Sequence, residues 1–290
     1  MNEDKSKSEI IRALPVVGDR IADRLEGAPT VGVLRLTGVI GQLGPGRRRG
    51  LSLSEQAGSI DQAFKLPRLK AVALAINSPG GSPVQAALIA RRIRQLAEEK
   101  EIPIYAFCED VAASGGYWLA CAAEEIYADP ASIVGSIGVI SAGFGFVDLL
   151  EKVGVERRVH TSGDKKGMLD PFIAEKADDI ERLRDIQEDI HEQFKDYVRD
   201  RRAAKLTANE SLLFSGEFWT GRRGTELGLV DGLGDLRSVM REKFGEKVNL
   251  RLVGGRKRLG LGRLLGGQAD LAGDAFAAVE ERLHWGRFGL

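Results

Sequence analysis

A serine flanked by small residues is the feature of this sequence best suited to chemistry. Ser114 lies in the stretch AASGG at residues 112–116, after an apolar run at 104–108 that predicts a buried strand and before a predicted helix rich in small residues. Glycine leaves the hydroxyl accessible, and the first amides of a helix have no partner within the helix, so they attract negative charge. A hydroxyl nucleophile needs this setting for acyl transfer. A tightly packed turn without chemistry explains the motif alone equally well.

A second glycine turn has the same layout. The apolar run at 71–76 predicts a strand, residues 83–100 predict a helix, and NSPGGS lies between them. The backbone amides of Gly80 and Gly81 are therefore candidates to stabilise a developing oxyanion. A phosphate-binding loop is the competing functional interpretation, although neither GxxxxGK[ST] nor GxGxxG occurs here. A purely structural turn is the third alternative.

A serine nucleophile also needs a group that takes its proton. The three histidines are scattered and none has a catalytic sequence context, so a lysine is the next candidate for the general base. A lysine amine has an ordinary pKa of about 10.4 and acts as a base near neutrality only when burial keeps it uncharged. Lys166 follows a predicted strand at 155–160 and precedes apolar residues at 168–172, and Lys165 adds like-charge repulsion. Most lysines in such loops are solvated, so the residues alone do not select Lys166.

Five motifs together carry a family resemblance. NSPGG, ASGGYW, GSIGV, K-x-x-x-D-P-F and FWTGRRGTELGLVDGLG follow one another between residues 31 and 236. The set resembles the signal peptide peptidase A family, also called the protease IV family. The resemblance implies an α/β fold of the crotonase-like class shared with Clp protease, with repeated ββα units, mostly parallel strands and a long helical extension.

The resemblance also implies roles for individual residues. Ser114 matches the nucleophile, Lys166 the general base, and Ser136 a serine that orients the lysine amine. The oxyanion hole would consist of the amide of Gly115 and that of either Gly80 or Gly81. No cofactor and no metal is expected.

The function implied is that of a serine endopeptidase. It would hydrolyse apolar or membrane-derived peptides, such as released signal peptides, and assemble as a homo-oligomer. Two alternatives stay open: a crotonase-type enzyme acting on acyl-coenzyme A, and a catalytically silent oligomeric scaffold associated with membranes.

Composition and length set the remaining expectations. The chain has 290 residues and a formal net charge of zero, which argues against a nucleic-acid partner. We expect an N-terminal helical extension at 1–29, a peptidase domain at 30–245 and a C-terminal extension at 246–290. No stretch has the length of a membrane span or the apolar core of a signal peptide. The expected location is therefore the cytoplasm, with peripheral contact at the inner face of the membrane left open.

Overall fold

The computed structural model describes residues 27–41, 50–163, 165–254 and 271–290. Residues 1–26 of the expected N-terminal helical extension lie outside the described residues, and so do the three arginines at 47–49. Within these ranges, no helix combines the length and the apolar character needed to cross a membrane.

In the described part of the chain, eight strands form one sheet. In sheet order, six of them run β6-β5-β3-β2-β1-β8, while β4 pairs with β3 and β7 pairs with β4. All pairs are parallel except the antiparallel pair of β5 and β6. The strands are β1 (Thr30–Thr37), β2 (Leu69–Ser78), β3 (Ile104–Ala113), β4 (Glu125–Ala128), β5 (Ile133–Gly135), β6 (Phe218–Thr220), β7 (Gly232–Leu233) and β8 (Asn249–Val253).

Helices lie between the consecutive paired strands β1 and β2, β2 and β3, and β3 and β4, because a parallel pair needs a crossover connection. The described helices are α1 (Leu53–Ala63), α2 (Pro83–Lys100), α3 (Gly115–Ala120), α4 (Val147–Lys152), α5 (Ala177–Arg202), α6 (Glu210–Leu213), α7 (Gly221–Glu226), α8 (Leu236–Phe244) and α9 (Leu271–Gly286). The predicted α/β fold with mostly parallel strands and a long helical extension is confirmed. The extension is α5.

Local sequence signals explain the best-predicted boundaries. Helix α2 begins at Pro83 because the hydroxyl of Ser82 accepts a hydrogen bond from the amide of Gln85 and caps the first turn, and it ends at Lys100. Strand β8 lies in the segment that the sequence assigned to the C-terminal extension, yet it pairs with β1 from Thr30 to Leu34. It is therefore an edge strand of the main sheet.

Two local predictions were wrong. The sequence predicted a strand that ends at residue 108, but β3 continues to Ala113. The polar residues are accommodated because β3 bulges at this point and the side chain of Asp110 accepts a hydrogen bond from Asn77 at 2.6 Å. The predicted strand at 155–160 is not a strand: these residues are exposed and pair with no strand in the described ranges.

The sheet is covered on both faces by unequal layers. The larger hydrophobic core lies between one face of the sheet and helices α1, α2, α3 and the C-terminal half of α5. The smaller core lies on the other face, where Val239 and Met240 of α8 cover Val31, Ala73 and Phe107. Strands β2 and β3 are buried on both faces. Their sequences are nearly continuous apolar runs, as is typical of central parallel strands.

Helix α5 packs directly behind α3. Trp118 stacks on Phe194 and Tyr197 with ring centroids 4.7 and 5.3 Å apart. The guanidinium of Arg201 donates hydrogen bonds to the carbonyl oxygens of Cys121 and Ala123, which close the end of α3. The long helix therefore braces the short helix that begins immediately after Ser114.

A nearly buried ion pair fixes the C-terminal end of α5. The side chain of Arg202 is 1% exposed and contacts the Asp231 carboxylate at 2.5 Å, while Lys205 contacts the same carboxylate at 2.7 Å. Arg202 also donates to the carbonyl oxygen of Gly228. Burial alone would raise the pKa of Asp231, but the hydrogen bonds from Arg202 and Lys205 outweigh it and hold the pKa below its ordinary value.

Replacing Asp231 by asparagine is expected to destabilise the fold by about 3 kcal/mol near neutral pH, because Arg202 would keep its charge without a buried counter-charge. The pKa of Asp231 is lowered in the folded state, so its contribution is complete above the ordinary aspartate pKa of about 3.9 and is lost as the pH falls through the folded-state pKa. Urea unfolding between pH 7 and pH 3 measures both effects.

The control for this experiment is Asp185→Asn. Asp185 is 62% exposed and lies 3.8 Å from Arg182, so its removal is expected to change the free energy of unfolding by less than about 0.5 kcal/mol. Equal losses in the two variants, or an Asp231→Asn protein whose stability falls with acid as steeply as that of the wild type, would contradict the role assigned to the ion pair.

Candidate active site

Three serines come together where parallel strands end. Ser78 is the last residue of β2, Ser114 follows β3, and Ser136 follows β5. Because β2, β3 and β5 are parallel neighbours, their carboxyl ends lie at one edge of the sheet, where α/β folds commonly place functional sites. The structure therefore brings together the serine-containing motifs that the sequence singled out.

The backbone of Ser114 adopts a conformation that non-glycine residues rarely take. Its φ and ψ angles are 52° and −122°, and it is half-buried between the end of β3 and the start of α3. Its amide donates to the carbonyl oxygen of Gly135 at 2.8 Å, and its carbonyl accepts from the amide of Trp118 at 3.0 Å. Such strain is retained where the surrounding structure fixes it, and it occurs frequently at catalytic residues.

The NSPGG turn packs directly against Ser114. A Cβ atom built on Gly80 would lie 2.8 Å from the Cβ of Ser114 and 3.0 Å from the amide nitrogen of Gly115. Gly80 and Gly81 have φ angles of 102° and 135°, so both positions favour glycine. The two glycine turns predicted from separate parts of the sequence thus form one site.

The amides of the turn differ in their partners. The amide of Gly80 donates to the hydroxyl of Ser78 at 3.2 Å. Among the described residues, the amides of Gly81 and Gly115 make no hydrogen bond. The residues on either side of Gly81 are both bound to Ile40. The amide of Ile40 donates to the carbonyl oxygen of Gly80, and the carbonyl oxygen of Ile40 accepts from the amide of Ser82. Gly81 and Gly115 are therefore the two amides available to an oxyanion.

Ser136 lies one residue from the backbone partner of Ser114. It is 6% exposed, has a φ angle of 53°, and donates its amide to the carbonyl oxygen of Glu217 at 2.7 Å. The preceding Gly135 packs against the ring of Trp219, where a Cβ would lie 2.7 Å from the ring. This packing fixes the position of the Ser136 backbone beside Ser114.

Lys166 is not brought to Ser114 in this chain. It is exposed, and no hydrogen bond or ion pair involves its amine within the described ranges. Its neighbour Lys165 lies 3.5 Å from Asp178 at the start of α5. The structure thus assembles the serine, the amides and Ser136, and leaves the lysine on the surface.

The segment that carries Lys166, residues 140–173, exposes many apolar side chains. Phe144 is 71% exposed, and seven other large hydrophobic residues of this segment are at least 38% exposed: Ile140, Val147, Leu149, Val153, Val155, Val159 and Ile173. Its internal contacts include the ion pair of Arg157 with Asp170 and the stacked rings of Phe146 and Phe172. An apolar surface of this extent is typical of a surface that another chain covers.

A cavity of about 740 Å³ opens next to the glycine turn. Its lining includes Gly41, Ser82 and Gln85, together with the apolar side chains of Leu53 and Leu88. Gln85 is held there by a hydrogen bond from the amide of Leu53 at 2.9 Å. The mixture of apolar side chains and a few fixed polar groups is typical of ligand sites.

Sequence reasoning missed Ser78 as part of the site. The residue appears in the NSPGG motif, but nothing in the sequence shows that its hydroxyl is wholly buried or that it binds the amide of Gly80. The available signal was a small hydroxyl residue at the last position of a buried strand, immediately before a glycine turn.

Comparison with known proteins identifies the family. A peptidase-family model matches residues 96–250, which contain Ser114, Ser136 and Lys166. The serine protease SPPA of Arabidopsis thaliana chloroplasts is 34% identical over 64% of this chain, which covers 27% of the plant protein. Protease 4 of Salmonella typhi is 32% identical over 71% of this chain and 33% of its own length.

A further relative has a different kind of name. A protein of Brucella abortus named Na(+)/H(+) antiporter NhaA is 49% identical over 98% of this chain, but the chain spans only 40% of its length. The plant and Salmonella relatives and the family model point to a class of proteins, the peptidases. More particularly, the chain belongs to peptidase family S49, whose model covers more than half of it.

Proposed function

We propose that this chain is a serine endopeptidase that hydrolyses peptide bonds with Ser114 as nucleophile and Lys166 as general base. The observation that carries the proposal is the strained Ser114, which packs against Gly80 and lies near two backbone amides that have no partner among the described residues. A nucleophile with adjacent preorganised donors is the arrangement that acyl transfer requires.

In the proposed mechanism, the uncharged amine of Lys166 accepts the proton of the Ser114 hydroxyl, and the oxygen attacks the carbonyl carbon of the substrate peptide bond. The amides of Gly81 and Gly115 donate hydrogen bonds to the oxyanion that forms. The lysine then protonates the leaving amine, and an acyl-enzyme results. In the second half, the lysine takes a proton from water as the water oxygen attacks the ester carbonyl. When the tetrahedral intermediate collapses, the lysine returns this proton to the leaving Ser114 oxygen, which releases the carboxylic acid product and restores both residues. Ser136 orients the lysine amine.

The mechanism requires the segment that carries Lys166 to meet the site. We propose a homo-oligomer in which the exposed apolar side chains of this segment are covered by a neighbouring copy. Covering the segment also removes water from around the amine of Lys166. The same contact would either close the segment over its own Ser114 or deliver Lys166 to the Ser114 of the neighbour.

The proposed substrates are apolar or membrane-derived peptides. The cavity next to the glycine turn is lined in part by Leu53 and Leu88, which favours apolar side chains in a bound peptide. The proposed location is the cytoplasm, with peripheral contact at the inner face of the membrane, where such peptides are released.

A mixed peptide pool tests the proposal. The purified protein is incubated with the pool, and the new termini are mapped by mass spectrometry; we expect cleavage next to apolar residues, and none with Ser114→Ala. Cleavage that persists in Ser114→Ala would refute the assignment. Absence of cleavage together with coenzyme A binding in calorimetry would favour the acyl-coenzyme A enzyme, and absence of both would favour the scaffold.

A further inference from the structure

Ser78 occupies a central position behind the site. It is wholly buried at the end of β2 and pairs in register with Ala112 of β3, two residues before Ser114. A buried hydroxyl group must be satisfied by a hydrogen bond, since an unpaired one is costly. The hydrogen bond that the structure gives this hydroxyl comes from the amide of Gly80, at 3.2 Å.

This hydrogen bond occupies the first of the two glycine amides in the turn. Because the amide of Gly80 points back to Ser78, it cannot also point towards an oxyanion on a substrate. The next amide, that of Gly81, makes no hydrogen bond among the described residues. The hydroxyl of Ser78 thus holds one amide and leaves the following one available.

Ser78 also touches the first turn of α3. A Cβ atom built on Gly116 would lie 2.5 Å from the carbonyl oxygen of Ser78 and 3.3 Å from its Cβ. The backbone of Ser78 is therefore in close contact with the helix that begins directly after the nucleophile. One residue links the turn that supplies Gly81 to the turn that supplies Gly115.

We propose that Ser78 is a positioning residue for the oxyanion hole: its hydroxyl fixes the turn so that the amide of Gly81, and not that of Gly80, faces the oxyanion. The proposal rests on the proposed peptidase function. It concerns stabilisation of the transition state, so it predicts an effect on the chemical step with little effect on the binding of substrate.

The test is Ser78→Ala, assayed on a peptide that the wild type cleaves. We expect kcat to fall by about tenfold or more while KM stays within about twofold. A peptide boronate that forms a tetrahedral adduct with Ser114 should lose affinity by about the same factor as kcat/KM, because its boronate oxygen occupies the oxyanion hole. In a Ser114→Ala background, the affinity for the uncleaved peptide should be unchanged by Ser78→Ala.

The matched control is Ser132→Ala. Ser132 is also buried, at 2% exposure, and its hydroxyl donates to the carbonyl oxygen of Cys108 and accepts from the amide of Asp129. We expect this variant to lose stability but to keep kcat within about twofold. If Ser78→Ala does not fold, Ser78→Cys keeps a weaker acceptor of similar size, and its kcat should lie between those of wild type and a variant lacking the oxyanion hole.

Either of two results would overturn the positioning role: a Ser78 variant with wild-type kcat and wild-type boronate affinity, or a loss of kcat in Ser132→Ala as large as in Ser78→Ala. Failure of the peptidase function looks different, since the wild type itself would then cleave no peptide and form no adduct with the boronate.

Discussion

Replacing Lys166 by alanine is expected to reduce kcat at least about a thousandfold, to the level of Ser114→Ala, because the serine hydroxyl is a poor nucleophile without a group that accepts its proton. Removing one member of a catalytic unit costs about as much rate as removing all of them. The double variant should therefore be no slower than either single variant. The measurement is the steady-state rate of cleavage of one peptide by each purified protein, with circular dichroism to confirm the fold.

Lys165 provides the control for this prediction. Its amine lies 3.5 Å from Asp178 and is exposed, so Lys165→Ala should keep kcat within about threefold. Loss of activity in Lys165→Ala together with retained activity in Lys166→Ala would assign the general base to Lys165. Retention in both variants would exclude a lysine base from this segment.

A mixture of the two inactive proteins shows how the lysine reaches the serine. Ser114→Ala keeps Lys166, and Lys166→Ala keeps Ser114. If a neighbouring copy supplies the lysine, mixed oligomers recover activity; if the segment closes over its own chain, they do not. Either outcome is consistent with the proposed pair and selects between its two arrangements.

Adding a single methyl group at Gly80 is the second change with a large expected effect. The new Cβ atom of Gly80→Ala would lie 2.8 Å from the Cβ of Ser114 and 3.0 Å from the amide nitrogen of Gly115, and the φ angle of 102° adds backbone strain. Displacing the nucleophile and an oxyanion donor together should lower kcat/KM by at least about a hundredfold. Steady-state kinetics on the same peptide measures the loss.

Gly58→Ala is the matched control. Gly58 lies in α1, where an added Cβ atom meets nothing within 4 Å and the backbone is helical, so alanine should raise stability slightly and leave kcat/KM unchanged. A Gly80→Ala protein with the kinetics of Gly58→Ala would show that the contact between the turn and Ser114 has no catalytic importance.

The sequence predicted the central layers of the fold because their signals are local. The apolar runs of β2 and the start of β3, and the capped helix α2, are specified by residues within each element. The end of β3 was mispredicted because a bulge stabilised by Asn77 and Asp110 lets polar residues continue a strand. This stabilisation comes from a neighbouring strand and has no local signature.

The candidate active site was predicted in part because some of its signals are also local. Two glycine turns with the same strand-turn-helix layout indicate Gly80, Gly81 and Gly115, and parallel pairing brings them to one edge of the sheet. The role of Ser78 depends on a single hydrogen bond between residues that the sequence does not distinguish from other turn residues. Lys166 lies exposed on the surface, and no local pattern in the sequence encodes how it would reach Ser114.

Chemical restoration of the lysine tests the central claim most directly. Lys166→Cys is prepared and treated with bromoethylamine, which converts the cysteine into a close analogue of lysine; Cys108 and Cys121 are buried and shielded from the reagent, and treated wild type controls for other reactions. We predict that Lys166→Cys cleaves no peptide and that aminoethylation restores cleavage, whereas the same treatment of Lys166→Cys combined with Ser114→Ala restores none. An untreated Lys166→Cys protein with wild-type activity, or a fully aminoethylated protein that stays inactive, would contradict the assignment of Lys166 as the base for Ser114.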